Sequence, residues 1–184
     1  MNMNISRSFR MLALVLLPVM VVAATGDVDS SKSNITATFK QEGVGVDASF
    51  KKFSGHITYD AANVGASRAN IEVETGSLDL GGEEYNAEVR KKSWFDSATY
   101  PKAVFQSTAI KAESASKFVA TGTLTIKGKA VTVSIPVSVQ VSAASTAYDG
   151  SVVISRAAFG IGSPEWNDVI DDKVSVRFHL VSSK

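Results

Sequence analysis

From residue 130 to residue 143 the chain alternates without a break. Val131, Val133, Ile135, Val137, Val139 and Val141 fall on one side, and Thr132, Ser134, Pro136, Ser138, Gln140 and Ser142 on the other. Successive side chains of an extended backbone point to opposite faces, so this stretch reads as a strand with one dry face and one wet face. The same period returns at residues 118–127, where Phe118, Ala120, Gly122, Leu124 and Ile126 share a side, and at 174–181, 35–40 and 53–60. Weaker versions run through 69–75, 103–111 and 148–156. Together they predict about eight antiparallel strands separated by short turns such as Lys127-Gly128-Lys129 and Tyr148-Asp149-Gly150.

A sandwich and a closed barrel both satisfy that pattern. The strand over 130–143 would run ~45 Å at about 3.3 Å per residue, which is long for a sandwich. Long, twisted strands close more readily, and closure removes edges that invite aggregation, so the barrel is favoured. Pro136 cannot donate to a ladder and predicts a bulge, a gap in pairing or a local edge.

One segment departs from the β pattern. Residues 83–92 follow the breaker Gly81-Gly82 and carry acids in the first turn and bases in the last, as a helix dipole prefers. Glu88 and Lys92 form an i,i+4 pair, and Tyr85 with Val89 makes a short apolar stripe. The expectation is one helix of two to three turns packed on the barrel. In the following "SWFDSATYPKAVF", Trp94 and Phe95 leave the helix and Tyr100-Pro101 enforces extension into the next strand. The aromatics then join helix to barrel, with one or two of them left to line a cavity.

The first 24 residues read as a cleaved signal peptide. Arg7 and Arg10 precede an apolar run over 11–23, and Val22-Ala23-Ala24 offers small residues for cleavage. The run is shorter than the roughly 20 residues a membrane span needs, and with no cysteine there is no site for lipid attachment. The mature domain is then expected over 25–184, in a periplasm or outside the cell, with no stable membrane anchor. Without Arg7 and Arg10, 17 basic residues face 18 acidic ones. That balance argues against nucleic acid or an anionic membrane surface as main partner. Export without cysteines means that packing, not disulfides, supplies the stability.

Catalytic signals are poor. His56 and His179 both fall on polar strand faces and read as surface residues. There is no G-x-S-x-G, Walker A or H-E-x-x-H motif, and the chain has no cysteine nucleophile. The acidic stretch over 165–172 lacks the ligand spacing of a calcium loop. No cofactor or metal is expected. Arg156 shares the dry face with Val152 and Ile154, which puts its guanidinium at a barrel mouth. It either grips an anionic head group or pairs with Asp168, Asp171 or Asp172. Small inward residues such as Ala37, Gly55, Ala120 and Gly122 sit beside Phe39, Phe53 and Phe118, compatible with a ligand cavity or with a filled core.

Several stretches stand in order along the chain: Phe50-Lys-Lys-Phe-Ser-Gly-His-Ile-Thr-Tyr-Asp60, the helix with Trp94-Phe-Asp96 and Tyr100-Pro101, and Gly122-Thr-Leu-Thr-Ile-Lys-Gly128. Ile135-Pro-Val137, Ile154-Ser-Arg-Ala-Ala-Phe-Gly-Ile-Gly162 and Glu165-Trp166 follow. In this order and spacing, nearly all of residues 25–184 resembles the YceI-like family of periplasmic lipid- or polyisoprenoid-binding proteins. Two histidines often found in the family are absent, with Lys32 and the Gln41-Glu42 region in their places. The resemblance implies a lipocalin-like barrel of eight antiparallel strands that takes a long, thin apolar molecule, with the polar end at the mouth and without catalysis. On face parity the expected contacts are Phe39, Phe53, Ile57, Phe105, Leu124, Ile126, Val133, Ile135, Ile154, Phe159 and Trp166, with Arg156 toward the head group. Two other classes stay open: an envelope interaction module marked by exposed apolar surface around Trp94, and an enzyme using Glu165, Asp168 or a histidine as base at the mouth.

Overall fold

The computed structural model describes residues 24–183; of the expected signal segment over 1–24, all but Ala24 lies outside the described residues. One antiparallel sheet holds eleven strands, three more than the alternation pattern predicts. In chain order they are β1 (Ala24–Asp27), β2 (Asn34–Gln41), β3 (Val44–Phe50), β4 (Phe53–Tyr59), β5 (Arg68–Glu74) and β6 (Leu78–Asp79). After helix α1 (Glu83–Val89) come β7 (Lys102–Ser114), β8 (Lys117–Ile126), β9 (Lys129–Val141), β10 (Ser145–Ser155) and β11 (Lys173–Ser183). The spatial order is β1-β4-β5-β7-β8-β9-β10-β11-β2-β3-β6, and the sheet curls so that Val28, just past β1, bridges Ser182 of β11.

The three strands beyond the expected eight are β1, β3 and β6. β3 does alternate, with Val46, Ala48 and Phe50 turned inward, but Gly45 and Asp47 dilute its β signal. It joins β2 through a two-residue turn at Glu42 and Gly43, both at positive φ, and the β8–β9 turn uses Lys127 and Gly128 in the same way. Paired left-handed residues match the twist of the strands they join, which sets the hairpin register.

Pro136 leaves the expected gap. β9 pairs with the whole of β8, from Lys129 opposite Ile126 to Ser138 opposite Lys117. Its pairing with β10 reaches only from Val141 opposite Thr146 to Val137 opposite Gly150. Beyond that point β9 and β10 share no ladder. A 3-10 turn over Ala157–Phe159 lies against both strands there, with Phe159 only 1% exposed.

Helix α1 is shorter than the expected 83–92 segment. It ends at Val89, and Trp94 then donates its N–H to the Lys91 carbonyl while Phe95 donates to Val89. Stopping there turns both aromatics inward. Glu88 pairs with Lys91 rather than with Lys92, and Arg90 pairs with Glu83. Val89 packs on the core, whereas Tyr85, expected on the same apolar stripe, is 64% exposed.

Two apolar clusters are stacked along the barrel. One holds Ile57, Tyr59, Ile110, Phe118, Tyr148 and Leu180; the other holds Trp94, Ile126, Ile154, Phe159, Ile161 and Ile170. Phe118 and Ile126 of β8 belong to different clusters, so the two are separated by roughly 25 Å of strand at about 3.3 Å per residue.

Candidate functional site: an apolar cavity along the barrel

The dry faces do not meet in a filled core. They enclose a cavity of about 570 Å³ that runs through both clusters, within the ~300–1,000 Å³ usual for ligand pockets. Its far end is built by Tyr59, Ser67, Ile110, Phe118 and Tyr148. The loop over 60–67 covers this end. Its turn is held by Asp60, whose carboxylate accepts from the N–H groups of Ala62 and Asn63, and by Ser67 Oγ, which accepts from Asp60 N–H. At the opposite end Trp94, Phe95, Trp166 and Ile170 surround the cavity, and Tyr85 both lines it and reaches solvent. The mouth therefore lies beside α1.

Of the residues expected to touch a ligand, Phe39, Ile57, Phe105, Leu124, Ile126, Ile135, Ile154, Arg156 and Trp166 line this cavity. Three expected contacts do not. Phe53 packs beside the far cluster and borders a shallow surface depression with Lys52, Glu72 and Lys102. Val133 stands opposite Gly122, and the Phe105 ring packs over that glycine: a Cβ there would lie 2.6 Å from Phe105 Cε2. Phe159 sits past the end of β10 in the 3-10 turn, where strand parity no longer applies, and is consumed by packing. Trp94, Phe95 and Phe105 all line the cavity, more of the aromatic stretch than the one or two expected. Parity alone could have added Ile35, Phe118, Tyr148, Phe178 and Leu180, which share faces with the residues chosen and also line the wall.

Arg156 lines the cavity, and the ion pair expected for it with Asp168, Asp171 or Asp172 is not formed. It is 4% exposed, yet no carboxylate lies within ion-pair distance among the described residues. Nε donates to Asp171 O at 3.2 Å and Nη1 to Ile161 O at 3.0 Å. Nη2 donates to Ile170 O at 2.7 Å, Asn167 Oδ1 at 3.1 Å and Trp166 O at 3.4 Å. Neutral oxygens of a single loop thus solvate a buried guanidinium, whose planar fork is suited to several acceptors at once. The acid that helps is Asp172, one step removed: its Oδ1 accepts from Ser155 Oγ at 2.7 Å and from Ala157 N–H at 3.0 Å. Those two bonds hold its carboxyl below the ordinary value, the Ala157 N–H most strongly.

Polar groups on the wall are few. Glu88 and Arg156 are the charged residues among those lining the cavity. Tyr148 and Trp94 line it as well, and the Tyr148 hydroxyl and Trp94 Nε1 are buried with no aligned hydrogen-bond partner, though Thr146 and Ser182 lie close to the former. Burial pushes the Tyr148 and Tyr59 hydroxyls above their usual range. His56 and His179 lie on outward faces against Asp27 and Asp149, at 2.8 and 2.7 Å. Trp94 is 6% exposed and Tyr85 on α1 64%, so the apolar surface at the helix is that of Tyr85 and not of Trp94. No group of three or more metal-ligating side chains occurs among the described residues, and no helix among them is long and apolar enough to cross a membrane.

The geometry has relatives. BcnA of Burkholderia cenocepacia superimposes with a TM-score of 0.82 at 42% identity, over 84% of this chain and 99% of BcnA. A polyisoprenoid binding domain from Saccharophagus degradans, implicated in plant cell wall breakdown, shares the fold with a TM-score of 0.71 at 19% identity, over 89% of this chain and all (100%) of that domain. By sequence, a UPF0312 protein of Photorhabdus laumondii is 32% identical over 119 residues, 63% of this chain, and the match spans 62% of that relative's length. A Shewanella UPF0312 protein is 30% identical over 138 residues, 73% of this chain and 70% of its own. The sequence profile of the YceI-like domain matches residues 27–182, and with the barrel, the helix and the cavity in place the chain belongs to the YceI-like family.

Proposed function

We propose that this protein binds a long-chain lipid, a polyisoprenoid or a related acyl chain, inside the barrel, and carries, stores or senses it without chemical conversion. One observation carries the reading: an elongated apolar cavity about 570 Å³ in volume, open beside α1. Burying one CH₂ contributes about 0.8 kcal/mol, whereas association costs ~4–15 kcal/mol. A tail of some ten carbons therefore roughly breaks even, and useful affinity asks for a longer chain, which an elongated bore suits better than a compact metabolite. The Saccharophagus domain of the same fold, described as polyisoprenoid binding, supports this choice of ligand. The basic and apolar leader supports an exported, periplasmic setting, in which an insoluble molecule needs a soluble carrier.

The test is native mass spectrometry of protein purified from its own envelope, followed by organic extraction. A single extractable species with isoprenoid or acyl fragments is expected. A mass that stays unliganded after incubation with polyprenols and fatty acids would remove the binding function.

A further inference from the structure

We propose that the closed end of the bore is a second recognition point, a site for one neutral oxygen carried on the buried end of the lipid chain. The ligand is then a chain that bears a hydroxyl or carbonyl at its inner terminus, whatever it carries at the mouth. This rests on the lipid-binding reading and adds to it the chemistry of the tail.

The inward faces of β10 and β11 change character at this end. Val152 and Ile154 on β10 and Val174, Val176, Phe178 and Leu180 on β11 give the cavity an apolar wall. The same two faces then end on hydroxyls: Thr146 and Tyr148 on β10, and Ser182 directly opposite Thr146. Their exposures are 0, 3 and 1%. Tyr148 lines the cavity, and neither its hydroxyl nor Thr146 Oγ1 has an aligned hydrogen-bond partner among the described residues. An unmatched buried hydroxyl is costly, and packing does not require it here, because valine and phenylalanine would fill the same space without it. Solvent is held off by the loop over 60–67, by Val28 bridged to Ser182, and by Tyr59, which meets Tyr148 edge-on at 6.0 Å and stacks on Phe118 at 6.1 Å. The cavity is the approach to Tyr148.

A hydroxyl both donates and accepts. An alcohol oxygen at this point can accept from Tyr148 and donate to Thr146 Oγ1, and a carbonyl oxygen can accept from either. Burial keeps the Tyr148 hydroxyl protonated, with its pKa above the usual range, so it remains a donor. Elsewhere along the wall an oxygen on the tail would leave water without a partner, and would weaken binding.

The experiment compares eicosanoate with ω-hydroxyeicosanoate, which differ by one oxygen at the end far from the carboxylate. Binding is read from the fluorescence of Trp94 and Trp166, the chain's two tryptophans, both at the mouth. The ω-hydroxy acid is expected to bind at least as tightly as eicosanoate, whereas an apolar end wall would weaken it about tenfold or more. The double variant Thr146→Val/Tyr148→Phe should melt no lower by circular dichroism, since it removes unmatched hydroxyls and keeps their shapes. In it the ω-hydroxy acid should bind about tenfold more weakly while eicosanoate is unchanged or tighter. An ω-hydroxy acid about tenfold weaker than eicosanoate in the unaltered protein, the result if these hydroxyls hold only water, overturns the proposal. So does an affinity for it that the double variant leaves unmoved, or a double variant that melts well below the unaltered protein, which would show the hydroxyls bonded to one another. If neither acid binds, the proposal falls, and a polyprenol decides the rest: uptake leaves the lipid-binding reading standing, and no uptake removes both.

Discussion

Replacing Arg156 by methionine keeps most of the side-chain stem and removes every donor. Five acceptors then lose their partner: the carbonyls of Ile161, Trp166, Ile170 and Asp171, and Asn167 Oδ1. A buried acceptor left unmatched costs about 1–3 kcal/mol, and these bonds are charge-assisted, but the loop can partly turn to water. The offset is that methionine no longer has to bury a charge, which is itself expensive. Balancing these, the loss should be ~3–5 kcal/mol. For a domain of this size each kcal/mol moves Tm by about 2–4 °C, so Arg156→Met should melt roughly 6–20 °C lower. Arg156→Lys should recover little, because three donors on one atom cannot span four carbonyls of a loop. Thermal unfolding by circular dichroism gives the number, and hydrogen exchange over residues 160–172 locates it. A drop below about 3 °C, worth ~1 kcal/mol, would show that the loop holds itself and that Arg156 serves something else.

Leu124→Trp places an indole inside the bore and should abolish lipid uptake while the far-UV spectrum stays that of the barrel; a folded variant with unchanged uptake would remove Leu124 from the wall in contact with ligand. Gly122→Ala drives a methyl to 2.4 Å from Gln106 O and 2.6 Å from the Phe105 ring, so it should cost about 1–3 kcal/mol by chemical denaturation and disturb uptake through Phe105. Asp172 has a folded pKa below its ordinary value of 3.8. Its contribution is therefore complete above that value and disappears as pH falls through the lowered one. Asp172→Asn should accordingly narrow the stability difference between neutral and strongly acid solution, and parallel pH–stability curves for the two proteins would refute the assignment.

The dry faces were legible because strict alternation leaves one way to bury a strand, and residues chosen by parity on β2, β4, β7, β8 and β9 mostly line the cavity. Parity says which side a residue faces, but not whether a neighbour already fills the space. Val133 obeys the alternation and still misses the wall, and Phe159 lies where the strand has ended. β3 alternates as cleanly as β2 but through Gly45, Asp47 and a small Ala48, residues that weaken the β signal without weakening the ladder. Arg156 was correctly placed inward. Its partners were not readable, because backbone carbonyls leave no mark in the sequence and the nearby aspartates drew the expectation toward an ion pair. The helix was legible from its charges, but its stop at Val89 reflects the burial of Trp94 and Phe95, a tertiary demand that local propensity does not carry.

The missing ladder past Pro136 also bears on how the bore keeps its girth. Everywhere from β4 round to β9 the circumference is fixed by backbone hydrogen bonds, which tolerate almost no stretch. Along Lys129–Pro136 and Ser151–Ser155 the hoop is instead fastened by side chains and by a three-residue turn anchored on Phe159. Over that span a change of girth needs only apolar contacts to slide, whereas toward the far end, where β9 and β10 are laced from Val137 to Val141, it would break hydrogen bonds.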